Sequence, residues 1–264
     1  MKKNRLTWGI LLLAFGTLML LDNLNVFSFL GVSIWNILWP VCLIAAGIWI
    51  VWASRSSQQP GEKQELSVPV DIVEKYRVDI KYGAGELSIG SHSDAEPLLY
   101  CDSEGGLKHE IKQDVDQKHI KLWSPAPLGP FRFTFRRKWH ISLNDAIPCE
   151  LKLNTGACDT RVDLTNTQVT SLKVETGASA TQITLPADAG YTRVHASGGA
   201  ASLTLNVPDS VASQIEVQGG IYSADVNQHR FPRQGKYYRS PGYDTAENKI
   251  DIKLEMGVGS IEVR

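Results

Sequence analysis

Six glycines, Gly83, Gly156, Gly177, Gly199, Gly220 and Gly257, share a flanking pattern that leaves few choices of fold. Five residues before them stand Val78, Leu151, Leu172, Val194, Ile215 and Ile252. Three before stand Ile80, Leu153, Val174, Ala196, Val217 and Leu254, and six after stand Ile89, Val162, Ile183, Leu205, Val226 and Val263. All eighteen are apolar in a chain that is 43% hydrophobic, a result with a chance of roughly 10⁻⁷ before allowing for the choice of anchors. Gly156, Gly177, Gly199 and Gly220 are spaced 21, 22 and 21 residues apart, a solenoid period.

Side chains two residues apart share one face of a β-strand, so the positions five and three before each glycine point to one interior. Lys152, Lys173 and Glu216 between them point outward. The pattern predicts strand, glycine turn, strand, with the glycine supplying a positive φ or a close backbone approach where the chain reverses. One such copy cannot close a core, but six stacked copies can. The fold class expected is all-β: a β-solenoid-like repeat domain over residues 66–264, with almost no helix.

Two stretches interrupt the repeat, 91–148 and 227–249, and read as insertions. The first carries Phe131, Arg132, Phe133, Thr134, Phe135, Arg136, Arg137, Lys138 and Trp139, a strand pattern with one apolar and one basic face. Two readings follow: its aromatics cap the end of the stack while the cations are solvated, or Arg132, Arg136, Arg137, Lys138 and Trp139 meet an acidic partner or anionic lipid. The second holds His229, Arg230, Arg233, Lys236 and Arg239 among three tyrosines and reads as a loop. The last repeat, at Gly257, is expected to cap the other end.

Nearly all long apolar runs precede residue 53. Residues 6–21 are uncharged and follow Lys2, Lys3 and Arg5; sixteen helical residues span roughly 24 Å, so a bilayer core of about 30 Å requires extension through Leu24, Val26 and Phe27, with tilt. Residues 34–53 are long enough outright and carry Trp35, Trp39, Trp49 and Trp52, suited to the headgroup boundary. A two-span transmembrane hairpin over 1–53 is expected, then a Ser-, Gln- and charge-rich linker over 54–65. No small-residue cleavage site follows the first run, which argues against a signal peptide. Basic residues precede the first span and follow the second, whereas 22–33 has none, so both ends should be cytoplasmic. Pro40 and the span glycines read as packing features, and with no ionisable side chain in either span no ion pathway is expected.

The chemistry of an active site is not visible. Basic and acidic residues number 27 and 28, which gives no pull toward nucleic acid. No metal, nucleotide or nucleophile-elbow signature occurs, and Gly83-Ala-Gly85 and Gly257-Val-Gly259 lack the third glycine of a dinucleotide loop. The six histidines lack metal-site spacing, and His195 should face solvent. Cys101, Cys149 and Cys158 are an odd set outside the spans, which suits free thiols and a reducing compartment. Cys158 is read as buried rather than as a redox sensor. Asp79, Asp163, Asp225 and Asp251 sit at different offsets, so a glycan-active β-helix enzyme lacks its acid cluster. No cofactor is expected.

Trp8-Gly9, Leu20-Leu21-Asp22-Asn23-Leu24, Trp39-Pro40 and Gly47 resemble the two-helix membrane module of bacterial LiaF-like proteins of the cell-wall-antibiotic response. Leu153-Asn154-Thr155-Gly156-Ala157 leading to Asp163-Leu164, and Val174-Glu175-Thr176-Gly177-Ala178 leading to Leu185-Pro186, resemble the toast-rack type of β-repeat domain. The resemblances cover residues 6–52 and 66–264. They imply a membrane-bound, non-catalytic accessory protein, in some relatives a modulator of an envelope-stress histidine kinase. This chain has two expected spans where some regulators carry four.

The expectation is therefore a membrane-anchored scaffold or accessory regulator that binds proteins, with membrane lipid and a membrane histidine kinase or other envelope-response protein as partners. A self-assembling structural protein is the alternative, since stacked strands leave edges that add further strands unless capped.

Overall fold

The computed structural model describes residues 40, 43–44, 63–71, 73–93, 96–125 and 137–264. Both expected spans lie outside these residues apart from helical Pro40, Leu43 and Ile44, and so do Phe131 to Arg136. No helix among the described residues is long and apolar enough to cross a membrane. The strands all belong to one compact unit, Gln59–Leu128 with Thr134–Arg264.

In chain order the strands are β1 (Lys63–Val68), β2 (Lys75–His92), β3 (Leu99–Glu104), β4 (Lys108–Gln113), β5 (Gln117–Trp123), β6 (Lys138–Asn144), β7 (Cys149–Asp163), β8 (Val169–Thr176), β9 (Ala180–Thr184), β10 (Tyr191–Asn206), β11 (Ala212–Val226), β12 (Arg233–Gln234), β13 (Tyr237–Arg239) and β14 (Lys249–Val263). The first strand starts three residues inside the stretch read as linker.

The repeat is a stack of bent rungs. The strands β2, β7, β10, β11 and β14 run 15 to 18 residues, about three times the ordinary length, because each passes through its glycine crease without reversing. Each rung thus has a first limb before the glycine and a second limb after it, and both limbs pair in parallel with the neighbouring rung. In the remaining repeat the crease interrupts the ladder, and β8 and β9 are its two limbs. The expected chain reversal is corrected accordingly. None of the six anchors is a positive-φ glycine. Close approach is what demands them: a Cβ on Gly156 would lie 2.2 Å from the carbonyl oxygen of Gly83 on the next rung. Left-handed geometry falls two residues later, where Gly259 has φ 144° and a Cβ would lie 1.9 Å from the Ala201 carbonyl oxygen.

Seventeen of the eighteen apolar positions are buried, and the other, Val217, packs half-buried against the same core. Register is fixed by this pattern, since a one-residue slip would turn every inward side chain to water.

Two features of the order depart from the sequence reading. The rung of Gly257 does not end the stack; β14 lies between β10 and β11, in parallel with both, so the rung of Gly220 is terminal. The first insertion also contains a further rung. Its limbs are β5, parallel to the first limb of β2, and β6, parallel to the second. Ile120, Leu122 and Ile141 align with Val78, Ile80 and Ile89 and are fully buried.

Antiparallel strands extend the stack beyond these rungs. On the β5/β6 side, β4 pairs with β5, while β3 and then β1 continue from β6. On the other side, β13 and then β12 continue from the first limb of β11. Among the described residues, no strand continues from its second limb.

Candidate interaction surface

A stack in register converts each outward sequence position into a row along the molecule, with about 4.8 Å between neighbours. Four residues before the glycines the row reads, in spatial order, Asp79, Lys152, Lys173, His195, Lys253 and Glu216; two before, it reads Lys81, Asn154, Glu175, Ser197, Glu255 and Gln218. These alternating charges zip together. Lys173 meets Glu175 at 2.7 Å, Lys253 meets Glu255 at 2.6 Å, and Lys236 from the second insertion meets Glu216 at 3.0 Å. The hydrogen bonds from these lysines hold the three carboxyls below the usual carboxylate range. His195 is half-exposed, with Nε2 3.5 Å from Glu255. Half-exposed pairs of this kind add little stability; their effect is a rigid polar face with its charges internally matched.

Near the crease this face hollows into a concavity of about 880 Å³, lined by Asn154, Glu175, Ser197, Gln218 and Glu255 with the crease backbone. A second, of about 810 Å³, lies against β5 and holds Asp79, Lys81, Lys121, Trp123 and Lys152. There His119 Nε2 and Asp79 Oδ2 are 2.8 Å apart. Ser124 also lines it, yet five residues of extended chain put Ser124 about 16 Å from His119, too far to form a nucleophile–base pair. Among the described residues no three His, Cys, Asp or Glu side chains gather as a metal site.

The basic strand separates into residues with different roles. Arg132 and Arg136 lie outside the described residues. Arg137 is 9% exposed; its carbonyl accepts the Tyr82 hydroxyl at 2.7 Å and the Glu86 N–H at 2.9 Å. Lys138 is exposed and pairs with Glu86 at 2.9 Å. Trp139 is 1% exposed, its ring 5.0 Å from that of Tyr82. Its position corresponds to Leu87 on the next rung, which makes it a core residue of the further rung. Placing Trp139 and Arg137 on a contact surface is thereby corrected: the rung geometry turns both inward.

Sequence reasoning missed the row one residue after each glycine: Ala84, Ala157, Ala178, Ala200, Val258 and Ile221. Only Ala84 among them is half-buried, and Val258 and Ile221, side by side on the last two rungs, are 54% and 79% exposed. Six apolar residues at one offset are a signal present in the sequence, masked by the expectation that the chain reverses here. Cys101, Cys149 and Cys158 are all free and buried.

Two family models match the chain. Residues 6–51 match the LiaI-LiaF-like transmembrane region, and residues 56–206, more than half of the chain, match the N-terminal domain of toast_rack, DUF2154. The chain belongs to the toast-rack family. The transmembrane match makes it a membrane protein. A Clostridium sporogenes protein described as a "putative cell adhesion protein" superposes with TM-score 0.70 at 23% identity, covering 78% of this chain and 99% of that one; the likeness carries the fold alone. A "putative adhesin" from Bacteroides fragilis aligns over 79% of this chain and 98% of its own at 12% identity, but with TM-score 0.27 it carries no argument. No curated protein matches the chain.

Proposed function

We propose that this toast-rack protein is a membrane-anchored, non-catalytic accessory regulator that acts by binding proteins in a bacterial envelope-stress or cell-wall-antibiotic response. The observation that carries the reading is the joining, in one chain, of a LiaI-LiaF-like transmembrane region to a toast-rack domain. The outer face supports it. Its carboxylates are held ionised by neighbouring lysines, so they are poor general acids near neutral pH and good partners for oriented polar contacts. The membrane module enters as two spans with both ends cytoplasmic, and a membrane histidine kinase or another envelope-response protein is the partner class.

The test is a transcriptional reporter of the envelope-stress response in the native bacterium, titrated with a cell-wall antibiotic, with and without the gene for this chain. The expected result is a several-fold shift in response threshold on deletion. The full chain should restore it, and residues 1–53 alone should not. An unchanged dose–response curve overturns the proposal.

A further inference from the structure

The free edges of this sheet are not equally protected. The outer edge of β4 carries Lys108, Glu110 and Lys112, and that of β1 carries Lys63 and Glu65. The strand β12, outermost on the first limb of the terminal rung, is only two residues long and includes Arg233. Charge and brevity are the usual devices that keep sheet edges from recruiting another strand. The second limb of β11, residues 220–226, is the least protected: seven residues long, it reads Gly, Ile, Tyr, Ser, Ala, Asp, Val, with Asp225 its one charge and no lysine.

The core is also unfinished there. Four residues after each glycine the inward row runs Leu87, Thr160, Thr181, Leu203 and Ile261, all 5% exposed or less. The equivalent on the terminal rung is Ala224, which is exposed, and beside it Tyr222 is only half-buried. The half-burial of Val217 belongs to the same boundary, because β13 covers β11 only at Gln214, Ile215 and Glu216.

We propose that the second limb of β11 pairs edge to edge, antiparallel, with the same limb of a second copy of this chain, about a two-fold axis at Ser223. Three observations select a second copy as the occupant. First, the available ladder is bounded: a partner strand running past residue 217 would meet β13, and a two-fold at Ser223 sets 220–226 against 226–220 without reaching it. Second, that register puts Tyr222 of each copy opposite Ala224 of the other, so the largest inward side chain on this limb covers the smallest and most exposed one. Cross-strand partners lie about 4.5–5.5 Å apart at Cβ, within reach of an aromatic ring. Third, Asp225 falls opposite Ile221, so no acid faces an acid, and Ser223 faces its own counterpart with a hydroxyl that both donates and accepts. An isologous pairing of this kind closes after two copies and does not propagate.

Seven residues of strand bury less than the roughly 800 Å² per partner of a stable interface. The pairing is therefore weak in dilute solution and depends on the high local concentration of two chains held in one membrane.

The experiment uses the full chain in its own membrane with Ser223→Cys, oxidised and run without reductant. Across the axis the two new thiols meet disulfide geometry. The expected result is a disulfide-linked homodimer at least about tenfold more abundant than for the wild-type chain or for Ser202→Cys, which places a thiol on the outer face of a mid-stack rung. Adding Ala224→Arg, an exposed position, should abolish the dimer while the circular dichroism of the purified chain stays unchanged. A monomer, a band equal to that of Ser202→Cys, a cross-link only to a different protein, or a dimer indifferent to Ala224→Arg each overturns the proposal.

Discussion

The second limb of the stack ends in two different ways. On one side Trp139 fills the row of Leu87, and β3 and β1 then carry the sheet outward under charged edges. On the other the same row stops at Ala224 with its edge open among the described residues. The apolar pattern along each rung is continuous, so what distinguishes the ends is the side chain on the last rung and what lies beyond it. A repeat makes rungs interchangeable, and the energetic cost of a substitution should then follow a residue's depth in the stack more than its type.

The largest effect tests this directly. Trp139→Ala removes a fully buried indole and should cost about 3–5 kcal/mol, in the range for large-to-small aromatic changes in cores. At the bare end Ala224→Leu adds bulk into open space and should change stability by less than about 0.5 kcal/mol, as surface substitutions do. Urea unfolding of the purified chain checks both. Equal costs would mean that the ends are not different in the way described.

Next come the crease glycines. A Cβ on Gly156 meets the Gly83 carbonyl oxygen at 2.2 Å, whereas one on Gly220 meets the Gly257 oxygen at 3.0 Å. Backbone atoms between stacked rungs cannot swing aside. Gly156→Ala should therefore cost about 3 kcal/mol, the upper part of the overpacking range, while Gly220→Ala on the terminal rung, free to shift on one side, should cost about 1 kcal/mol, the lower part of that range. The difference in melting temperature between the two variants is the measurement, and reversal of their order would show that the terminal crease is the rigid one.

How much of this was legible in the sequence depends on which interaction carried the information. The core rows were legible because a period-two pattern repeated at fixed distance from a glycine is a local signal, and seventeen of its eighteen positions are buried. The further rung was not, because its limbs, β5 and β6, are separated by fourteen residues with no crease glycine in register to mark them. Ile120 and Leu122 align with Val78 and Ile80 through pairing alone. The insertion of β14 between β10 and β11 was likewise illegible, since parallel rungs of equal period can be exchanged without altering any local pattern. Trp139 was legible only as one of two alternatives for a related reason: an aromatic beside Arg137 and Lys138 fits either a surface cluster or the covered end of the stack until the partner strand assigns it a row, and its burial favours the second. The row from Ala84 to Ile221, by contrast, is a local signal at fixed distance from the glycines and is legible in the sequence.

The smallest effect concerns the thiols. Cys101, on β3 at the covered end, is fully buried, and burial, reinforced by the neighbouring Asp102 charge, pushes its thiol up to about 12. Burial does the same to Cys149, also to about 12. Because the thiolate is the reactive form, neither should be alkylated by iodoacetamide at pH 8 in the native chain, and both should react once urea unfolds it. A cysteine introduced at the bare end, Ala224→Cys, should react at the rate of an ordinary exposed thiol. The same difference contributes to the loss of stability at alkaline pH, alongside the buried hydroxyls of Tyr76, Tyr82 and Tyr243, whose pKa burial also raises. An unfolded chain releases the thiol protons near pH 8.5, the ordinary thiol value, while the folded chain keeps them to about 12. Above the unfolded value the native state binds more protons than the unfolded one, so the stability the thiols contribute is full below about pH 8.5, falls as pH rises through the interval, and is lost once the folded thiols ionise. Cys101→Ala should flatten that fall in a series of unfolding curves from pH 8 to pH 11. A slope unchanged by the substitution, or native Cys101 labelled as fast as the cysteine at 224, would show that the end closed by β3 and β1 is as open to water as the other.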